Sequence, residues 1–128
     1  MTAFAPIDIE DELRQALDSE GCPVFAPPIP DNLSTRIPCA LCVRRGGTRR
    51  GLVVDVSNME IYVWAETDAE SMYHANRIVG ELTQLQFVHD TIHQVDIIGQ
   101  PYQSNDPSHP TLARTAMTIQ VYSTSERS

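Results

Sequence analysis

The sequence has no lysine. All nine basic residues are arginines, outnumbered by seventeen aspartates and glutamates, and the formal net charge is -8. Such a chain repels nucleic acid and anionic membrane surfaces over most of its area, which excludes a generally basic binding domain. The exclusive use of arginine fits either a GC-rich genome or a demand for bidentate contacts. No run approaches the roughly 20 apolar residues that a membrane helix needs, and no membrane association is expected. The acidic N-terminal segment lacks the basic start and apolar stretch of a signal peptide, so the chain is expected to stay in the cytoplasm. The three cysteines are an odd count in a chain of 128 residues, long enough to bury a core without staples; reduced thiols are expected. A glycine-rich phosphate loop is absent, and no nucleophile sits in a recognisable turn. Neither enzyme activity nor a cofactor is expected.

What is present, 41% apolar and 20% charged residues, is the composition of a folded domain. In IDIEDELRQALDSEG, the apolar stripe Ile9, Leu13, Ala16 and Leu17 behind an acidic first turn predicts a helix over residues 8–19, stopped by Gly21. Pro23, Pro27, Pro28, Pro30 and Pro38 then force an extended strap over the surface. Residues 37–43 read as a strand entering a hairpin whose turn is Gly46-Gly47. In LVVDVSNMEIYVWAE the apolar phase is even at Leu52, Val54 and Val56 and odd at Met59, Ile61, Val63 and Ala65. The slip at Ser57-Asn58 makes residues 52–66 either one bulged strand or two elements.

Thr67-x-x-Glu70 is a capping box, opening a helix with Met72, Ala75, Ile78, Val79, Leu82 and Leu85 on one face. A short strand over residues 95–99 and a loop through GQPYQSNDPSHP lead to a last strand, with Ala113, Thr115, Met117, Ile119 and Val121 on one face, and a polar tail STSERS. The order is helix, two strands, helix, two strands. It predicts an α+β fold: a single domain over residues 1–128, with a roughly four-stranded antiparallel or mixed sheet carrying two helices on one face.

Cys39-x-x-Cys42 and His89-x-x-x-His93 spell a superficial zinc signature. Residues three apart in a strand point to opposite faces, so the two thiols are expected to be small buried side chains and no metal site is expected. His74 and His109 complete the histidines; His74 lies on the more polar side of its helix, where a solvated imidazole is expected.

CVRRGGTRRG is the strongest local anomaly. With Gly46-Gly47 as the turn, Arg45 faces Thr48 and Arg44 faces Arg49, a like-charge pairing that costs about 0.2–1 kcal/mol. No acidic residue lies between Asp31 and Asp55, so Arg44, Arg45, Arg49 and Arg50 form a basic tip on an acidic molecule. The tip is either a solvated loop or a docking element for an anionic partner. No aromatic residue interleaves with the arginines, which favours protein over nucleic acid. Basic and acidic surfaces on one chain suit head-to-tail contacts between identical copies. Tyr62 and Trp64 share one strand face, with Tyr122 available to join them; that face is either an interface or covered by the N-terminal helix.

Taken together, the acidic helix, the proline-rich strap, PCALCVRRGG, EIYVWAETDAESMYHANRIVGEL and SHPTLARTAMTIQVY resemble the tail terminator proteins of long-tailed bacteriophages, with Arg114 where an arginine commonly begins the last strand. The resemblance covers nearly the whole chain. It implies a structural virion protein at the neck, a homo-oligomer in a hexameric ring that caps the tail tube protein, ends its polymerisation and docks to the head–tail connector protein. DNA would pass through the lumen without specific binding, and Arg44, Arg45, Arg49, Arg50, Tyr62, Trp64 and Arg114 are the expected partner-binding residues. The alternatives are a nucleic-acid-binding module using the Arg44 to Arg50 hairpin and an uncharacterised small enzyme.

Overall fold

A computed structural model describes residues 4–17, 21–51, 54–124 and 126–127. Near the N-terminus, β1 (Phe4–Ala5) precedes α1 (Ile9–Ala16), whose N-cap Asp8 accepts a hydrogen bond from the Asp11 amide. The helix buries Ile9 and Leu13 of the predicted stripe, and Gly21 follows at φ +83°; residues 18 and 19 of the predicted helix lie outside the described residues. The strap is not purely irregular. It contains β2 (Val24–Phe25), parallel to the next strand, and a 3-10 turn at Leu33–Thr35.

Two long antiparallel hairpins make up most of the sheet: β3 (Cys39–Arg50) with β4 (Val54–Ala65), and β5 (Ile92–Gln103) with β6 (Ala113–Thr124). Between them runs α2 (Asp68–Val88), whose N-cap Thr67 accepts from the Glu70 amide as the capping box requires. The strand order is β2-β3-β4-β6-β5, so the α+β prediction holds with five strands in the main sheet rather than four; β1 pairs separately with β7 (Glu126–Arg127). The strand predicted at residues 95–99 is in fact twelve residues long. It absorbs part of the predicted loop because three breaks in its pairing with β6 carry it past Gly99 and Pro101.

β4 settles the question left open by its sequence. It pairs residue for residue with β6 from Val54 to Ala65, so there is neither a bulge nor a turn at Ser57-Asn58. The apolar phase changes because polar residues occupy one face at the start of a regular strand: Asp55 and Ser57 are buried on the side of Met59, Ile61 and Val63, while Val56 is buried on the opposite side.

Both helices pack on the same sheet face, as expected. Ile9, Leu13 and Leu17 from the first helix and Ala75, Ile78, Leu82 and Leu85 from the second close over Met59, Ile61, Met117 and Ile119. A second, smaller core lies on the other face, where Leu33 of the strap meets Cys39, Leu41 and Trp64. Cys39 thus belongs to one core and Cys42 to the other, on opposite faces of β3, the geometry that separates them as metal ligands.

Burial pushes the thiols up, Cys22 and Cys42 to about 12 and Cys39 to about 11. Since the thiolate is the reacting form, roughly one Cys42 in ten thousand is reactive at pH 8. A disulfide reagent applied to the native protein is therefore expected to label none of the three cysteines until denaturant is added. Labelling within minutes in buffer would show that the core opens readily.

Candidate interaction surface

The arginine segment is where the sequence expectation changes most. Gly46-Gly47 is not the hairpin turn. Arg44 stands opposite Met59 and Gly47 opposite Ser57, so Arg45 and Gly46 together answer the single residue Asn58 in a β-bulge, and the strands continue to Arg50 opposite Val54. The chain turns beyond it, beginning at Gly51 with φ +65°. The glycine pair is required by the bulge: Gly46 has φ +124°, and a Cβ on Gly47 would lie 2.2 Å from the Val56 carbonyl oxygen.

This register removes the expected Arg44–Arg49 repulsion. Arg49 instead faces Asp55, donating from Nε to Oδ1 at 2.9 Å, and Arg45 reaches Glu60 at 3.2 Å. The arginines are thus partly neutralised by acids of β4, contrary to the expectation of an uncompensated tip. Asp55 holds the Arg49 guanidinium above its ordinary value, as Tyr62 and Glu60 do for Arg45. Arg44 donates its backbone amide to Glu10 Oε2 and its Nε to Ser57 Oγ. Arg50 lies over the Tyr122 ring, 5.7 Å from its centroid, with no acidic partner among the described residues.

On the face away from the helices, Arg45, Tyr62 and Arg114 are joined into one chain of contacts. Tyr62 donates its hydroxyl to Glu60, which also accepts from Arg45, and the Arg114 guanidinium stacks on the Tyr62 ring at 4.7 Å. Burial raises the Tyr62 phenol, reinforced by Glu60, whereas the Tyr62 hydrogen bond holds Glu60 below the usual carboxylate range despite partial burial. Arg114 also donates to the Ser104 and Asn105 carbonyls and the Ser104 hydroxyl, fastening the loop before β6.

Trp64 does not present an interface. Its side chain is 1% exposed, covered by the strap and by Leu112 rather than by the N-terminal helix, and its indole donates to Asp106 Oδ2 at 3.1 Å. Asp106 also accepts from the Ser108 amide and contacts His109 Nδ1 at 2.9 Å. Asp106, His109 and Glu60 were not singled out from the sequence; NDPSHP does carry an Asx-turn signal, but its link to Trp64 spans 42 residues.

His109 contacts Asp106 three residues earlier in the same loop, and the contact orients that loop. His89 is likewise structural: its Nδ1 accepts from the Thr91 and Ile92 amides just past α2, leaving Nε2 to face Glu12 at 3.4 Å. His93 lies elsewhere, against Thr124. Comparison with protein-family models and with curated proteins finds no match to the chain.

Proposed function

We propose that the chain is a structural subunit of the phage neck, a tail terminator that forms a homo-oligomeric ring, hexameric by resemblance, capping the tail tube and meeting the head–tail connector. The observation that carries this reading is the polarised molecule. One end of a long, bulge-fixed hairpin gathers four arginines, while acids dominate the rest of the chain. The order of helix, strap, hairpin, helix and hairpin that prompted the resemblance supports it as well. Two internal ion pairs at the hairpin leave Arg44 and Arg50 as the arginines without an acid across the strand, a weak grip for DNA but sufficient for one docking contact with protein.

Crosslinking and imaging of the protein on assembled particles test the reading. Six copies per particle at the head–tail junction are expected. One copy per particle, or none, overturns it. A sizing column does not decide the matter, because subunits of such rings can close only on their template.

A further inference from the structure

Two adjoining hollows flank the C-terminal end of α2. A trough of about 510 Å³ runs between this helix and Ala16, with Gly80 and Glu81 in its wall, and a second hollow of about 370 Å³ beside Glu12 and Asp90 joins it at Val88. The lining is apolar at Ala16, Leu85 and Val88, the last 73% exposed, and the neighbouring Phe87 is 75% exposed. The first hollow holds Glu81 together with Arg77, and Glu81 Oε2 is buried with no hydrogen-bond partner, the sole such side-chain atom among the described residues; the second adds the carboxylates of Glu12, which faces His89, and Asp90. α2 has no basic residue in its last turn to answer the partial negative charge of its C-terminus. Burial holds the Glu81 carboxyl above the ordinary glutamate value, and the nearby Arg77 charge offsets this only in part.

The same chain carries the complement. Arg50, at the last position of β3 before the turn, has only an aromatic ring beneath it, and its aliphatic stem can lie on an apolar margin while the guanidinium reaches a carboxylate. We propose that the trough beside Glu81 receives the arginine end of the β3–β4 hairpin from a second copy of this chain, with Arg50 against Glu81. The inference rests on the ring reading and deepens it by naming which surface of one subunit meets which surface of the next. Donor and acceptor are different surfaces, so the contact is heterologous and propagates into a ring or a filament rather than closing as a two-fold dimer.

Sedimentation of the purified protein at millimolar concentration and low salt tests it with Arg50→Glu and Glu81→Arg. Wild type is expected to associate. Each single variant should weaken association at least about 30-fold, the scale of losing one partner from a desolvated charge pair. An equimolar mixture should associate through alternating contacts, native where the tip of Glu81→Arg meets the trough of Arg50→Glu and charge-swapped in the other direction; the double variant should associate again through the swapped pair alone. Recovery in the mixture also shows that both variants are folded. Wild type that stays monomeric, single variants that associate like wild type, or a mixture that remains monomeric each overturn the proposal. The ring reading is judged separately on particles: a ring at the neck with normal joining by Glu81→Arg removes this contact alone, whereas association in solution by a chain absent from particles removes the ring reading alone.

Discussion

Trp64→Ala is expected to cost about 3–5 kcal/mol, much of the stability of a domain this size. The indole is the largest fully buried side chain, and with Leu112 it ties the second core to the loop before β6, hydrogen-bonding Asp106. Removing it leaves a cavity between strap and sheet and takes one donor from Asp106 Oδ2, which keeps its contact with His109. Trp64→Phe keeps most of the apolar volume but not the donor, and should cost about 1–3 kcal/mol. Urea unfolding followed by circular dichroism measures both; a loss under about 1 kcal/mol for Trp64→Ala would show that the strap and loop contribute little. Burial alone would raise the Asp106 carboxyl, yet hydrogen bonds from His109, the Ser108 amide and Trp64, with the Arg114 charge, hold it below its ordinary value. The stability it contributes is therefore present above the unfolded aspartate value of about 3.9 and lost as pH falls through the lower folded value. Acid should loosen the loop over Trp64, and Asp106→Asn should flatten that dependence.

Gly47→Ala is expected to destabilise by about 1–3 kcal/mol, with the damage concentrated at the arginine end of the hairpin. The new methyl would sit 2.2 Å from the Val56 carbonyl oxygen and 3.0 Å from the Ser57 Cα, backbone atoms that cannot swing aside. Relief requires losing the bulge, and a one-residue shift would turn Thr48, Arg49 and Arg50 to the opposite faces, breaking the Arg49–Asp55 pair and lifting Arg50 from Tyr122. Gly46→Ala is the control: its Cβ meets nothing within 4 Å, so only the backbone conformation at φ +124° is strained. Thermal melts and cross-strand amide contacts by NMR distinguish the cases; an unshifted midpoint for Gly47→Ala would mean that the bulge is not held in this register.

The elements legible in the sequence were those specified by local pattern. The Thr67 cap and the Ala75, Ile78, Leu82, Leu85 stripe give α2, and alternation from Ala113 to Val121 gives β6, because each signal lies within one element. The features that were not legible depend on what stands across the sheet. A glycine pair flanked by arginines specifies a turn or a bulge equally well until Met59 and Ser57 fix the register. Likewise, Val54 and Val56 look out of phase with Met59 only when a single buried face is assumed. Trp64 read as an interface residue because the strap and the loop at Asp106 that cover it carry no periodicity pointing to it. The arginines stand out in the sequence, but their partners Glu60 and Asp55 emerge only from the pairing of β3 with β4.

The placement of β6 between β4 and β5 has a consequence for synthesis. β4 is complete at Ala65, but the strand that covers its second edge ends at Thr124, about 60 residues later, which is several seconds at roughly 10 residues per second. During that interval the nascent chain presents Met59, Ile61 and Val63 on a strand with one open edge, and the helix that packs against them is only beginning to emerge. Until then, the exposed edge can pair with another nascent chain. The bulge and the charged far end of the hairpin disfavour that pairing.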